Sequence, residues 1–235
     1  MALRSVTRLF RGGAGVEQVD LQIGFGEIVA LVGLNGAGKT TLMRLQLGML
    51  RPDSGQSEID GTPLRDVDAA TWARVGHLVE APLAYGELTV REVLEMNLAL
   101  RGGPRSAPRI DAAIETFALA KYEHRRIRTL SMGNAQRVGL AAALQHEPTI
   151  VVLDEPTNAL DPAGVIVLRE TLRSRAGAGA GILVSSHHLD EVARIADRIV
   201  VMNAGRLIGE LAPHEADLER LFFDTVLRDD QARLP

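Results

Sequence analysis

Four short aliphatic runs stand out from a chain that otherwise places its apolar residues at helical spacing: Ile28 to Val32, Thr149 to Leu153, Ile182 to Ser185 and Arg198 to Met202. Each is bounded by glycine, proline or acidic residues and is too short for a helix. Each therefore predicts a strand buried on both faces, as in a parallel sheet. Between them, Gly38 to Leu47, Asn134 to Leu144, Ala163 to Arg175 and Leu189 to Ala196 have the length and composition of helices. This alternation predicts an α/β fold around a mostly parallel, doubly wound sheet. From about Ala84 to Leu144 the strand signals fade, and Val90 to Leu100 has helical spacing before a GGPRSAP stretch interrupts it, which predicts an inserted helical lobe. The GAGAG segment, Gly177 to Gly181, predicts a plain connector, and the tail after Gly209, with Phe222 and Phe223, predicts a packed terminal helix. The whole chain, 1–235, reads as one domain with the lobe at about 84–144 and the tail at about 210–235.

Composition narrows the class without identifying it. Hydrophobic residues are 46% and charged residues 24% of the chain, a globular balance that excludes disorder and fibrous repeats. A net charge of -4 provides no global basic field, so nucleic acid is not an expected partner. The absence of cysteine excludes disulfides, thiol catalysis and cysteine zinc sites. No apolar run approaches the roughly 18 to 20 residues that span a bilayer, so membrane association is expected through a partner. The arginine-rich, acid-free opening has the composition of a transit peptide but lacks an apolar segment and an evident cleavage site. Its alternating apolar residues predict the first strand.

The strongest chemical signal is Gly33-Leu34-Asn35-Gly36-Ala37-Gly38-Lys39-Thr40, which fits G-x-x-x-x-G-K-[ST] between a predicted strand and a predicted helix. Glycines let successive N–H groups turn toward phosphate oxygens, and the helix N-terminus adds partial positive charge. Lys39 reaches the β and γ phosphates, and the Thr40 hydroxyl ligates Mg²⁺. Of the 26 basic residues only Lys39 and Lys121 are lysine. A chain that nearly always writes arginine thus places one of its two lysines where a compact ammonium fits and a planar guanidinium would crowd the loop.

A second signal is Asp154-Glu155-Pro156 at the end of a predicted buried strand, where open α/β sheets bind ligands. Asp154 is suited to hold Mg²⁺ and Glu155 to polarise an attacking water as general base. His187, just beyond another strand, is a candidate for contacting the γ phosphate or that water.

Together these motifs resemble, in order and over about Leu3 to Glu210, the nucleotide-binding domain of ABC transporters. Besides Walker A (Gly33 to Thr41) and Walker B (Thr149 to Glu155), Leu130-Ser131-Met132-Gly133-Asn134 is similar to the LSGGQ signature. Met132 replaces the first glycine and Asn134 the glutamine, while Ser131 and Gly133 remain. Asn158-Ala159-Leu160-Asp161 resembles the D-loop, His187 fits the switch histidine, and Phe10, with Phe25 as a weaker competitor, matches the aromatic that stacks on adenine. Where the family has a Q-loop glutamine, Leu78-Val79-Glu80-Ala81-Pro82 resembles the E-loop of bacitracin and lantibiotic exporter ATPases.

The resemblance implies a P-loop ATPase core with an N-terminal antiparallel β portion and an inserted helical subdomain. It also implies binding of ATP and Mg²⁺, with Asn35, Gly36, Ala37, Gly38, Thr41, Ser131, Gly133 and Asp161 on the nucleotide and Glu80 joining Thr40 and Asp154 at the metal. The partners implied are an integral membrane permease and a second ATP-binding subunit, identical or different, whose signature completes the site. Localisation is then cytoplasmic, at the inner face of the membrane. A soluble non-transport ABC ATPase, or a sensor or immunity module that signals without moving a substrate, are the competing readings. Ribosome-acting members of the family usually carry two nucleotide domains and DNA-repair members a long coiled coil between the motifs, and this sequence shows neither, which disfavours the soluble reading.

Overall fold

The computed structural model describes residues 1–79, 85–102 and 106–233. The chain divides into two compact units, one formed by Met1–Val67 with Gly181–Pro235 and the other by Asp68–Ala180.

In the first unit, strands β1 (Ala2–Leu9), β2 (Gly15–Gln22), β4 (Ser54–Ile59) and the two-residue β5 (Thr62–Pro63) form an antiparallel sheet in the order β2-β1-β4-β5. The opening segment is thus the first strand, as its alternation predicts. The parallel part of this unit centres on β3 (Ile28–Val32), flanked in parallel by β8 (Gly181–Ser186) and β9 (Arg198–Asn203). All residues of β3 and β8 are buried, which is why both read as uninterrupted apolar or small-residue runs. Strand β10 (Arg206–Leu211) returns antiparallel beside β9, and the terminal helix α8 (Leu218–Ala232) packs on that hairpin through Leu218, Phe222 and Val226. Helix α1 (Lys39–Gln46) buries Leu42, Met43 and Leu45 and contacts β2 and β4. Helix α7 (Leu189–Ala193) is shorter than its pattern predicts, stopping before Ala196.

In the second unit, β6 (Val75–Leu78) and β7 (Ile150–Leu153) pair in parallel with Leu78 opposite Leu153. A single helical turn, α2 (Ala69–Trp72), precedes β6. Helices α3 (Val90–Leu100) and α4 (Ala107–Thr116) pack on α5 (Met132–Leu144), whose Val138 to Leu144 stretch is wholly buried. Helix α3 has the bounds that its periodicity predicts, because Thr89 and Glu92 form a capping box that fixes its start. Helix α6 (Pro162–Gly177) completes the unit.

Candidate functional site

The phosphate loop hangs between the buried end of β3 and the first turn of α1. Gly38 caps α1 with φ 109, in the left-handed region that glycine reaches without strain. A Cβ on Gly33 would lie 2.3 Å from the Met202 carbonyl oxygen of neighbouring β9, so close packing demands glycine there as well. The loop is anchored to the β9–β10 turn by a 2.9 Å bond from the Gly205 N–H to the Ala37 carbonyl. Lys39 is only 7% exposed, and its Nζ donates to Gly33 O at 2.7 Å and Leu34 O at 3.4 Å. The ammonium therefore lies across its own loop, surrounded by backbone groups, in the position from which it can bind a polyphosphate. Thr40 and Thr41 lie in the same first turn of α1, while Leu34, Asn35 and Gly36 are exposed at the loop's tip.

In the same unit His187 follows β8, whose Ser186 lies opposite Val32 of β3. The loop and the histidine thus occupy the C-terminal ends of adjacent parallel strands, where open sheets take ligands. His187 is exposed and tilts over His188 with ring centroids 3.9 Å apart, while Ser186 Oγ accepts from the His188 N–H at 2.9 Å. Phe10 sits at the tip of the β1–β2 hairpin, 39% exposed, with the Arg8 guanidinium 5.4 Å from its ring. Phe25 is 76% exposed.

In the second unit Asp154 and Glu155 follow β7 directly, and the Asp154 N–H donates to Leu78 O at 2.8 Å, extending the β6–β7 pairing to the carboxylates. Glu155 adopts φ 46, a turn conformation that lifts it out of the strand, and the Gln136 amide bonds Pro156 O at 3.1 Å from α5. Glu80 lies outside the described residues.

This second unit also brings Ser131, Gly133 and Asp161 together around an open cavity of about 820 Å³. Ser131 caps α5, accepting from the Asn134 N–H at 3.4 Å and from Asn134 Nδ2 at 2.9 Å. A Cβ on Gly133 would meet the Ala159 carbonyl at 2.4 Å, so the signature glycine is what lets α5 approach the D-loop. Asp161 caps α6 through the Gly164 N–H at 2.8 Å and pairs with Arg137, and these two interactions, the backbone bond first, hold its carboxyl below the ordinary range. Tyr122, also lining the cavity, has its hydroxyl drawn below its usual pKa by hydrogen bonds from Lys121 and then Asn134. Met132, the departure from the family's glycine, is 78% exposed and strains nothing. Gln136 and Arg137, which directly follow the signature, are given no role by the motifs. They act 20 and 24 positions away in sequence, and only their adjacency to the signature could have pointed to them.

A glycine loop wrapped around its own lysine, following a parallel strand and opening a helix, defines a P-loop nucleotide-binding protein. Residues 16–158 match the family described as ABC transporter. The chain is 36% identical over 208 residues to the bacitracin transport ATP-binding protein BcrA of Enterococcus faecalis, covering 88% of this chain and 67% of that one. It is 39% identical over 212 residues to the hemin import ATP-binding protein HmuV of Rhodopseudomonas palustris, covering 86% and 78%. Among solved structures, an ATP-binding subunit of an ABC transporter superposes with a TM-score of 0.86 at 27% identity, covering 95% of this chain and 98% of that one. The chain belongs to the ABC transporter family as an ATP-binding domain, and it is an ATPase.

Proposed function

We propose that this ATPase powers a separate membrane permease that exports a peptide antibiotic or another drug-like molecule. The observation that carries the nucleotide half of this reading is Lys39, buried across the phosphate loop at the mouth of α1. Lys39 and the loop N–H groups bind the β and γ phosphates, Glu155 accepts the proton of the attacking water, and His187 orients the γ phosphate or that water. Phe10 stacks on the adenine. Thr40 and Asp154 suit Mg²⁺ by chemistry, since hydroxyl and carboxylate oxygens are the hard donors it prefers. An ion held by these two residues would offset the negative charge of the bound phosphates. Ser131 and Gly133, with Asp161 behind them, receive the γ phosphate of a nucleotide on a second subunit, so that ATP closes two subunits and hydrolysis releases them.

Export is supported by the bacitracin transport relative and by the E-loop resemblance around Glu80. Import is the second reading, favoured by the hemin relative at comparable identity. The test is co-purification with an integral membrane protein followed by reconstitution. ATP-driven movement of bacitracin out of the nucleotide-exposed side supports export, accumulation in the opposite direction supports import, and absence of any membrane partner removes both.

A further inference from the structure

The phosphate loop rests on the turn between β9 and β10. A Cβ on Gly33 would fall 2.3 Å from Met202 O, and one on Gly38 would fall 2.8 Å from Met202 Cε. Three residues beyond Met202, the Gly205 N–H bonds Ala37 O at 2.9 Å. The start, middle and end of the loop thus lean on Met202 to Gly205, and a shift of this turn is a shift of the loop. The turn is also strained. Ala204 has φ 39 and Gly205 φ 83, so both central residues are left-handed, and only the second is a residue that reaches this region freely.

Two contacts hold it in place. On one side Gly205 O accepts from the Glu17 N–H of β2 at 2.8 Å. On the other stands the last turn of α8. Asn203 is 8% exposed, and its Nδ2 donates to Asp229 Oδ2 at 2.8 Å and to Asp230 Oδ1 at 2.7 Å. A primary amide has two N–H groups, so both are taken. Arg233 completes the grip, pairing with Asp229 at 2.6 Å and donating from Nη2 to Asn203 O at 3.3 Å. Consecutive helical residues do not ordinarily serve one partner, and carboxylates in a last turn oppose the helix dipole. Neither placement helps α8 by itself. Both are accounted for by the amide of Asn203.

We infer that Asp229 and Asp230 are positioning residues for the phosphate loop: through Asn203 they hold the β9–β10 turn, which fixes Gly33, Ala37 and Gly38 in the geometry that receives the β and γ phosphates. The inference rests on the phosphate-loop reading above and gives α8 a part in nucleotide affinity. A loop held in advance binds phosphate without first having to be ordered, whereas a turn released from α8 would have to be re-formed at each binding event. Were α8 only a stabiliser of the fold, its loss would lower the melting temperature and the fraction of competent molecules, and the affinity of those still folded would not change.

The experiment titrates the full chain with labelled ATP and with labelled AMP, and records thermal melting for each variant. AMP lacks the β and γ phosphates, so it reports on the rest of the site. Asp229→Ala/Asp230→Ala should weaken ATP binding about tenfold and AMP binding less than about twofold. Asp229→Asn/Asp230→Asn, whose amide oxygens still accept from Asn203, should keep ATP affinity within about twofold of wild type. Asn203→Asp alone sets carboxylates against carboxylates and should weaken ATP binding as the alanine pair does. Combined with the two asparagine substitutions it restores the bonds in the reversed direction, and ATP affinity should recover. If the alanine pair does not fold, this recovery decides the matter alone. Unchanged ATP affinity in both the alanine pair and Asn203→Asp, equal weakening of ATP and AMP, or no recovery in the reversed combination would overturn the inference. Lys39→Ala separates it from the reading on which it rests. Lost ATP affinity there, beside an indifferent alanine pair, leaves the loop as the nucleotide site without this support. Unchanged affinity in Lys39→Ala removes the loop reading and the inference with it.

Discussion

His146 links the stability of the helical unit to pH. Its Nε2 lies 3.3 Å from Val75 O, while its Nδ1 is buried without a partner. Burial first, and then the charge of Arg101, move its pKa from 6.5 down to about 4, with Arg109 and His77 adding smaller effects of the same sign and the Val75 bond opposing them. The neutral ring is therefore the form that the fold accepts. The unfolded chain takes up a proton near pH 6.5, whereas the folded chain resists until about pH 4. Stability is complete above the upper value and is lost as pH falls through this window. The separation corresponds to at most about 3 kcal/mol, and solvent screening of a ring that is only partly buried lowers the expected loss to about 1–2 kcal/mol. In His146→Gln the amide can still bond Val75 O but does not titrate. Urea unfolding at a series of pH values between about 7.5 and 4.5 should show wild-type stability falling more steeply than the variant's, by that amount. Parallel curves would refute the reasoning, because the buried imidazole would then contribute no proton linkage.

Three further outcomes follow from the site. Lys39→Ala should weaken ATP binding about a hundredfold or more, read by titration with labelled nucleotide, because charge-assisted bonds to the phosphates disappear. Glu155→Gln should leave ATP binding intact and slow single-turnover hydrolysis by about a hundredfold or more, since the amide cannot accept the water's proton. Gly133→Ala should cost about 1–3 kcal/mol in chemical denaturation, because its Cβ falls 2.4 Å from the Ala159 carbonyl, and it should impair ATP-dependent dimerisation, read by size-exclusion chromatography, more than ATP binding.

What could be seen in the sequence was whatever depends on local chemistry. The phosphate loop was legible because glycine conformation, lysine reach and helix start are all satisfied within eight residues. Helix α3 was legible because its capping box and apolar stripe agree. Strands such as β4, with the sequence SGQSEI and three exposed residues at its start, lack an apolar run and escaped notice. Helix α4 was hidden because its first turn contains Pro108, which is tolerated at a helix start but reads as a breaker beside glycine. The Arg137–Asp161 pair was illegible for a different reason. Whether an arginine is partnered depends on which acidic side chains the fold brings near it, and no local pattern records that.

The degenerate signature poses the question of how Ser131 can serve a phosphate when Asn134 stands in place of the family's glutamine. Asn134 directs two N–H groups at Ser131 Oγ, one from its backbone and one from its side chain at 2.9 Å. A hydroxyl oxygen offers two acceptor positions and one proton, so filling the acceptor side turns the proton outward toward the cavity. That is the orientation in which Ser131 donates to a γ phosphate on the proposed second subunit. Asn134→Asp is therefore the informative change. An aspartate would accept the serine proton, and its charge would repel the incoming phosphate. Helix stability would not suffer, because a carboxylate in the first turn of α5 favours the helix. We expect Asn134→Asp in the Glu155→Gln background to bind ATP normally and to lose ATP-dependent dimerisation in size-exclusion chromatography, while Asn134→Gln retains it. Equal dimerisation of the two variants would mean that the orientation of Ser131 has no bearing on closure, and the substituted signature would have to act through its backbone N–H groups alone.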